Sequence, residues 1–368
     1  MKLALVVPGG VDRSGEQRVI PALLALLMRL AARHEVHVFA LRQEARPGRW
    51  KLAGAEIHNV GDGWQRLRAI AAIRAEHRRS PFDLVQAIFS GSCGLVAVGS
   101  ATMLHLPSLV HVAGGELVAM HDIGYGGRRR WCGRVREALV LRGANVVTAA
   151  SAPAIEALRA LGIEARRVPL GAGLDAWPPM APRVRHARPA RLIHVASLNR
   201  VKDQPTLLRA LAALAERGTE FTMDVVGVDT LGGEIERLAG HLGLARRLRF
   251  HGFKTQRELR VMMAAADVLV LSSRHETGPL VLLEAALSGV PTVGTRVGHL
   301  AEWAPTAAVA VPVGDAAALA GAIARLLEDE GLRLQLACAA QQLAMRDNAD
   351  RTARHFQLLY RRVCRRGR

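Results

Sequence analysis

The four residues Val268–Leu271 form an unbroken apolar run. It ends in the polar turn Ser272, Ser273, Arg274, His275, Glu276, Thr277, Gly278, Pro279. This short stretch constrains the fold more than any other. Apolar residues without alternation read as a strand buried on both faces, as in a parallel sheet. Gly278 and Pro279 then predict a helix start, because proline at the first helical position gives up an N–H that has no partner there. The helix is expected to run through Glu284 and Ala285 and to stop at Gly289, with 290–293 opening the next strand. In that order of elements, the turn of Thr277, Gly278, Pro279 and Leu280 points its free amides out of the carboxyl end of a sheet. Such a turn suits an anion, above all phosphate. Glu276 lies just before the helix and Glu284 about two turns into it, so two acceptor-only carboxylates flank the anion site. That spacing suits a ligand with a diol on either side of a diphosphate, as in a nucleotide-sugar.

Strand and helix patterns alternate along nearly the whole chain, which predicts an α/β protein with parallel sheets. In the first half, strands are expected at 2–7, 36–40, 56–58, 84–87, 108–112 and 145–148, with helices near 15–33, 65–78, 92–103, 128–142 and 152–161. A proline- and arginine-rich stretch without periodicity follows and reads as a linker. The pattern then restarts, with strands at 192–196, 223–226, 248–250, 267–271, 290–293 and 309–311, and a last basic helix near 349–364. The expected organisation is a first doubly wound Rossmann-like domain over 1–172, a linker over 173–190 and a second domain over 191–345. Two such domains would face each other across a cleft at their strand ends.

A formal charge of +18 over 368 residues raises nucleic acid as a partner. Yet only Lys2, Lys51, Lys202 and Lys254 are lysine, aromatic residues are 4 %, and no basic stripe is interleaved with them for base stacking. No nucleic-acid role is therefore expected. Cys93, Cys132, Cys338 and Cys364 form no close pair, which fits a reduced, cytoplasmic compartment better than a disulfide or zinc framework. The chain opens on a strand and shows no signal-peptide pattern. Residues 84–115 lack Asp, Glu, Lys and Arg, but Gln86, Ser90, Ser92, Gly94, Gly99 and Pro107 break them into strand, helix and strand, a buried core rather than a membrane span.

The segment from Ser272 through Glu276, Gly278, Pro279, Glu284, Ala285, Gly289, Pro291, Val297, Gly298 and Glu302 resembles the signature of retaining family-4-like, group 1 glycosyltransferases of the GT-B fold. The resemblance implies that Glu276 holds the donor sugar, Glu284 the ribose and the turn amides the diphosphate. It also implies that the last helix, within 346–368, crosses back onto the first domain. The donor would be a nucleotide-sugar such as a UDP- or GDP-sugar, and the acceptor a glycan or lipid-linked sugar. The expected product is cell-surface polysaccharide or glycolipid, made without a protein-bound metal or other cofactor.

Other residues follow from the same resemblance. The loop Ser197, Leu198, Asn199, Arg200, Val201, Lys202 matches a donor-diphosphate loop. Lys202 is the family lysine, Ser197 replaces the family arginine, and Asn199 and Arg200 are further donor contacts. Gly252 and Phe253, after His251, are expected near the base. Gly9 and Gly10 follow the first strand and sit on the acceptor and phosphate side, with Glu116 and Asp122 as candidates for acceptor hydroxyls. Relatives carry a histidine where this chain has Ala113. His111 lies two residues earlier, as a catalytic substitute or as a core histidine, while His105, His121 and His275 are weaker candidates. The leaving diphosphate would be stabilised by fixed amides and Lys202. Two other readings stay open: a nucleotide-sugar epimerase of similar architecture, and a non-catalytic carbohydrate-binding relative. The arginine-rich stretches around Arg128, Arg129, Arg130 and Trp131, and around Arg66, Arg68, Arg74, Arg78 and Arg79, fit either solvated faces or a peripheral site on anionic lipid at the inner face of a membrane.

Overall fold

The structure, a computed structural model, describes residues 1–185 and 189–366. Residues 186–188 of the expected linker and 367–368 at the end of the expected terminal segment lie outside the described residues. The chain divides into two compact units, Met1–Gly173 with Asp347–Arg368, and Leu174–Arg346.

The strands of the first unit are β1 Lys2–Val7, β2 Glu35–Ala40, β3 Gly48–Leu52, β4 Ala55–Asn59, β5 Leu84–Ile88, β6 Ser108–Val112, β7 Val146–Ala149 and β8 Ala165–Arg167. They form one sheet in the order β3-β4-β2-β1-β5-β6-β7-β8. All pair in parallel except β3, which lies antiparallel on β4 at the edge. The helices are α1 Pro21–Ala31, α2 Gln65–Arg79, α3 Ser92–Leu104, α4 Trp131–Gly143 and α5 Ala152–Ala160. The apolar run of β1 is buried on both faces, as a central parallel strand requires. Leu3, Leu5 and Val7 face one core with Leu23, Leu26 and Leu30 of α1. Ala4 and Val6 face the other with Ile73 of α2 and Val96 of α3.

The second unit holds β9 Ala190–Val195, β10 Phe221–Val226, β11 Leu248–Phe250, β12 Val268–Leu271, β13 Thr292–Thr295 and β14 Val309–Val311. Their order is β11-β10-β9-β12-β13-β14, parallel throughout. Its helices are α6 Gln204–Glu216, α7 Glu234–His241, α8 Gln256–Ala265, α9 Leu280–Leu287, α10 Gly298–Trp303, α11 Ala316–Glu328 and α12 Glu330–Arg346. Asp203 caps α6 by accepting from the Thr206 amide. Thr255 and Glu258 form a full capping box on α8. Leu207, Leu211 and Leu214 of α6 meet Leu192, Met223 and Val270 from the sheet in one core.

The last helix, α13 Ala349–Arg366, belongs to the first unit. It inserts Ala353, Phe356 and Tyr360 into the core beneath β1 and α1. The Tyr360 hydroxyl donates to Gln86 of β5, and Arg29 of α1 pairs with Asp350 at 2.7 Å. The backbone leading into α13 is stitched to the end of the first segment: the Ala349 amide donates to the Ala172 carbonyl, and the Thr352 hydroxyl donates to the Pro169 carbonyl at 2.6 Å.

Several expected boundaries differ. The helix expected over 15–33 begins only at Pro21, because Asp12 takes the Ser14 amide and hydroxyl and the Arg18 guanidinium into a local turn. Edge strand β3 and short strand β8 were not expected. Pro279 is the residue before α9 rather than its first helical position; its ψ of 115° is extended.

Candidate functional site

β9 and β12 are hydrogen-bonded neighbours, so the loops leaving their carboxyl ends lie side by side. One is 196–203 and the other 272–279. The Arg274 amide donates to the Val201 carbonyl at 2.8 Å, and the Ser272 hydroxyl donates to the Lys202 carbonyl at 2.8 Å. With the loops fixed in this way, Lys202 Nζ reaches Glu276 Oε1 at 2.5 Å. The Ser273 hydroxyl donates to the same carboxylate oxygen at 2.6 Å, and the Ser273 carbonyl accepts from the Thr295 hydroxyl at 2.5 Å. Asn199 shapes the first loop, its carbonyl and side-chain oxygen both accepting from the Lys202 amide. Gly298, at the start of α10, has φ +51°, and an added Cβ would lie 3.0 Å from the Glu276 carbonyl oxygen. Only glycine lets that helix start approach Glu276 so closely.

Two further strand ends join this edge. Gly227 follows β10 and leaves no room for a Cβ, which would lie 2.0 Å from the Ala196 carbonyl oxygen after β9. The Gly227 amide in turn donates to the Gly252 carbonyl after β11. Gly252 has φ +62° with open space beside it, and Phe253 is 48 % exposed. Thr277, Gly278, Pro279 and Leu280 form the turn into α9, where Thr277 and Pro279 are buried. Glu284 is buried within α9 and hydrogen-bonds the Gln256 side chain, while burial pushes its carboxyl up to about 7.

The remaining expected residues divide. Arg200 is largely exposed and pairs with Glu234 of α7 at 3.2 Å rather than with a residue of the Lys202 cluster. His111 is wholly buried in β6. One ring nitrogen shares a hydrogen bond with the Thr148 hydroxyl at 2.9 Å, and the ring meets Phe356 edge to face. Burial lowers its pKa to about 3. A neutral imidazole with no exposed surface cannot touch a substrate, so the catalytic expectation for His111 is corrected to a core histidine.

At the carboxyl end of β1, Gly10 takes φ +81° and its carbonyl accepts from the Ile20 amide. Gly9 lies against the Arg42 carbonyl, 2.9 Å from where a Cβ would sit. Glu116 accepts the Ser90 amide on one oxygen at 3.0 Å and the Gly114 amide on the other at 2.6 Å. It therefore ties the loop after β5 to the loop after β6. The Ser90 hydroxyl donates to Glu137 of α4 at 2.5 Å, and burial raises the Glu137 carboxyl to about 7. The sequence reading missed Ser273 and Glu137. Ser273 carried a usable signal, since a serine three residues before a site carboxylate in one turn is within reach of it. Glu137 carried none beyond a glutamate on an otherwise apolar helix face. Among the described residues, no three His, Cys, Asp or Glu side chains come together as metal ligands. No helix there is long and apolar enough to cross a membrane.

Two doubly wound units, and clustered strand-end loops carrying a lysine–carboxylate contact, define a protein of the GT-B fold. Solved structures share it across the full chain. They include a sucrose-phosphate synthase from Thermosynechococcus elongatus, with TM-score 0.82, 20 % identity, and coverage of 98 % of this chain and 99 % of that one. HepE of Anabaena in complex with UDP-glucose matches with TM-score 0.77, 20 % identity and coverage of 98 % and 99 %. Residues 15–173 match the glycosyl transferase 4-like domain and residues 181–343 the glycosyl transferases of group 1. The chain belongs to these family-4-like, group 1 glycosyltransferases. It is 36 % identical over 176 residues to a D-inositol 3-phosphate glycosyltransferase of Corynebacterium urealyticum, covering 45 % of this chain and 42 % of the relative. It is 33 % identical over 174 residues to a glycogen synthase of Mycobacterium tuberculosis, covering 46 % and 42 %. The chain thus spans about half the length of the curated relatives it matches.

Proposed function

We propose that the protein transfers a sugar, with retention, from a nucleotide-sugar donor to a carbohydrate or lipid-linked acceptor. The observation that carries this reading is the Lys202–Glu276 contact at the carboxyl ends of β9 and β12. A cation and a carboxylate stand there beside the backbone of a helix start, the set of groups that a diphosphate joined to a sugar requires. Lys202 and the turn of Thr277, Gly278, Pro279 and Leu280 take the diphosphate, with Asn199 holding Lys202 in place. Glu276 orients the sugar, Glu284 takes the ribose, and Gly252 and Phe253 border the base. In the first unit Gly9 and Gly10 lie on the acceptor side, where Glu116 shapes the loops. Residues 1–172 serve the acceptor and 191–345 the donor, with 173–190 as linker and 346–368 returning to the first domain.

In the reaction, the acceptor hydroxyl oxygen attacks the anomeric carbon on the face from which the diphosphate leaves. The bond to the phosphate oxygen breaks, the new glycosidic bond forms, and the acceptor proton passes to the departing phosphate. Lys202 and the turn amides stabilise the charge that develops on the leaving group. Titration with UDP, GDP and their sugars, followed by nucleotide release with candidate acceptors, tests this. Release without an acceptor-linked product, or no binding of any nucleotide, counts against it.

A second observation favours an anionic membrane surface as partner at the inner face of the cytoplasmic membrane, and hence glycolipid or surface-polysaccharide synthesis. Trp131, Val135 and Leu139 are exposed at 72, 49 and 62 % and recur every four residues on α4. Exposed Arg130, Arg134 and Arg142 flank them, and Trp64 and Leu67 are exposed at the start of α2. An apolar stripe rimmed by arginine fits the boundary of an acidic bilayer. Co-sedimentation with phosphatidylglycerol vesicles but not phosphatidylcholine vesicles, lost in Trp131→Ala with Leu139→Ala, is the expected result.

A further inference from the structure

We infer that His194 is a positioning residue for the diphosphate: through Gln204 it holds the 196–203 loop in the shape that presents Lys202. This rests on the reading of Lys202 as a diphosphate contact. His194 lies wholly buried in β9. Its Nδ1 is 2.8 Å from the Val270 carbonyl of β12. A carbonyl only accepts, so Nδ1 carries the proton, and in the neutral ring Nε2 is left as a bare acceptor. That acceptor faces Gln204 Nε2 at 3.2 Å, and the same amide nitrogen donates to the Ser197 carbonyl at 3.2 Å.

Both N–H groups of Gln204 are thereby committed to acceptors, while its Oε1 is buried and makes no hydrogen bond. Donation alone sets the side chain's orientation. Ser197 lies near the start of the loop and Gln204 opens α6 just after its end, so one buried amide ties the two ends of the loop together. Lys202 sits two residues before Gln204, with Asp203 between them in the left-handed region at φ +50°. Burial lowers the His194 pKa to about 4, with Lys202 and Glu276 as its charged neighbours. The ring therefore stays a neutral acceptor across the working pH range. The sequence places an Asp-Gln-Pro at this helix start, where any helix-compatible residue would follow the cap. The glutamine is explained by the histidine ten residues before it only once the fold brings them together.

The test uses the full-length protein and four variants, Gln204→Leu, Gln204→Glu, His194→Leu and Lys202→Ala, each checked for an unchanged circular-dichroism spectrum. Calorimetry measures binding of whichever of UDP or GDP the parent binds, and of the matching nucleoside. The expected result is that Gln204→Leu and Gln204→Glu each weaken the nucleoside diphosphate about five- to tenfold, the scale of one or two lost hydrogen bonds, and move the nucleoside less than twofold. Gln204→Glu keeps the size but has no N–H to donate, so it should behave as Gln204→Leu does. His194→Leu, if folded, should match them. Equal loss for nucleoside and diphosphate, or no loss in either Gln204 variant while Lys202→Ala weakens the diphosphate, overturns the role of His194. Should Lys202→Ala leave the diphosphate unaffected, the reading of the site falls, and this inference with it.

Discussion

Lys202 and Glu276 stand 74 residues apart in the chain and 2.5 Å apart in space. They occupy the ends of adjacent strands, and two backbone-directed hydrogen bonds, from Ser272 and Arg274, fix the loops that carry them. A close lysine–carboxylate pair that stays partly open to solvent is a poor source of stability. On the proposed reading the pair serves as a ligand site, where an entering phosphate would compete for the ammonium and free the carboxylate for sugar hydroxyls.

Lys202→Ala and Glu276→Ala should therefore separate by step. Loss of Lys202 is expected to weaken nucleoside diphosphate binding by about tenfold, since a hydrogen bond to a charged group contributes roughly 1.5–3 kcal/mol. Loss of Glu276 is expected to lower kcat by about 10- to 100-fold with a smaller change in affinity for the free nucleoside diphosphate. Calorimetry and steady-state rates measure the two effects, and small, equal changes in both would count against these roles.

Gly298→Ala should damage the site without touching its chemistry. At φ +51° an alanine is strained, and its Cβ would press on the Glu276 backbone. A destabilisation of about 1 kcal/mol or more is expected from the backbone strain alone, together with a loss of donor affinity as Glu276 shifts. Urea denaturation and donor titration on the same variant report both.

How far the sequence carried this site is visible residue by residue. The β12–turn–α9 segment was readable because an apolar run, a Gly-Pro turn and a glycine stop are local signals. The strands of both sheets other than β3 and β8 were readable for the same reason. Edge strand β3 was not, since its residues Gly48–Leu52 alternate only partly exposed and exposed positions and gain their order by pairing with β4. The Lys202–Glu276 contact was not readable as a contact, because strand order brings β9 beside β12 and nothing local specifies it. His111 looked like a site residue because it sits two positions before Ala113, the place where relatives carry a histidine. The period of two instead turns it into the core against Phe356. Arg200 looked like a spare cation near Lys202, but an unforeseen neighbour on α7, Glu234, takes it.

Phe356→Ala tests whether α13 is integral to the first unit. Phe356 is fully buried beside Tyr360 and beneath α1. Truncating a buried phenylalanine typically costs about 3–5 kcal/mol, so a lowered denaturation midpoint is expected. Leu358→Ala, on the exposed side of the same helix at 61 %, should change it by less than about 0.5 kcal/mol. Similar effects from both would mean that the helix contributes little to the core.

Glu284 makes the pH dependence of the protein specific. Burial raises its carboxyl from 4.5 to about 7, so the folded state holds a proton there that the unfolded chain has already released. Below about 4.5 both states are protonated and no penalty exists. Between about 4.5 and 7 the folded protein binds the extra proton, and stability falls as pH rises. Above about 7 the buried group is ionised and the penalty is complete, at most about 3 kcal/mol for a shift of this size. Glu284→Gln removes the titration, so its thermal midpoint relative to the parent should rise from pH 5 to pH 8. Donor binding should move the other way. A carboxylate accepts ribose hydroxyls better than a carboxylic acid does, so affinity for the nucleoside diphosphate should increase from pH 6 to pH 8 in the parent. In Glu284→Gln it should be weaker and flat. A parent affinity that does not change over that range, with a variant of equal affinity, would remove Glu284 from the ribose contact.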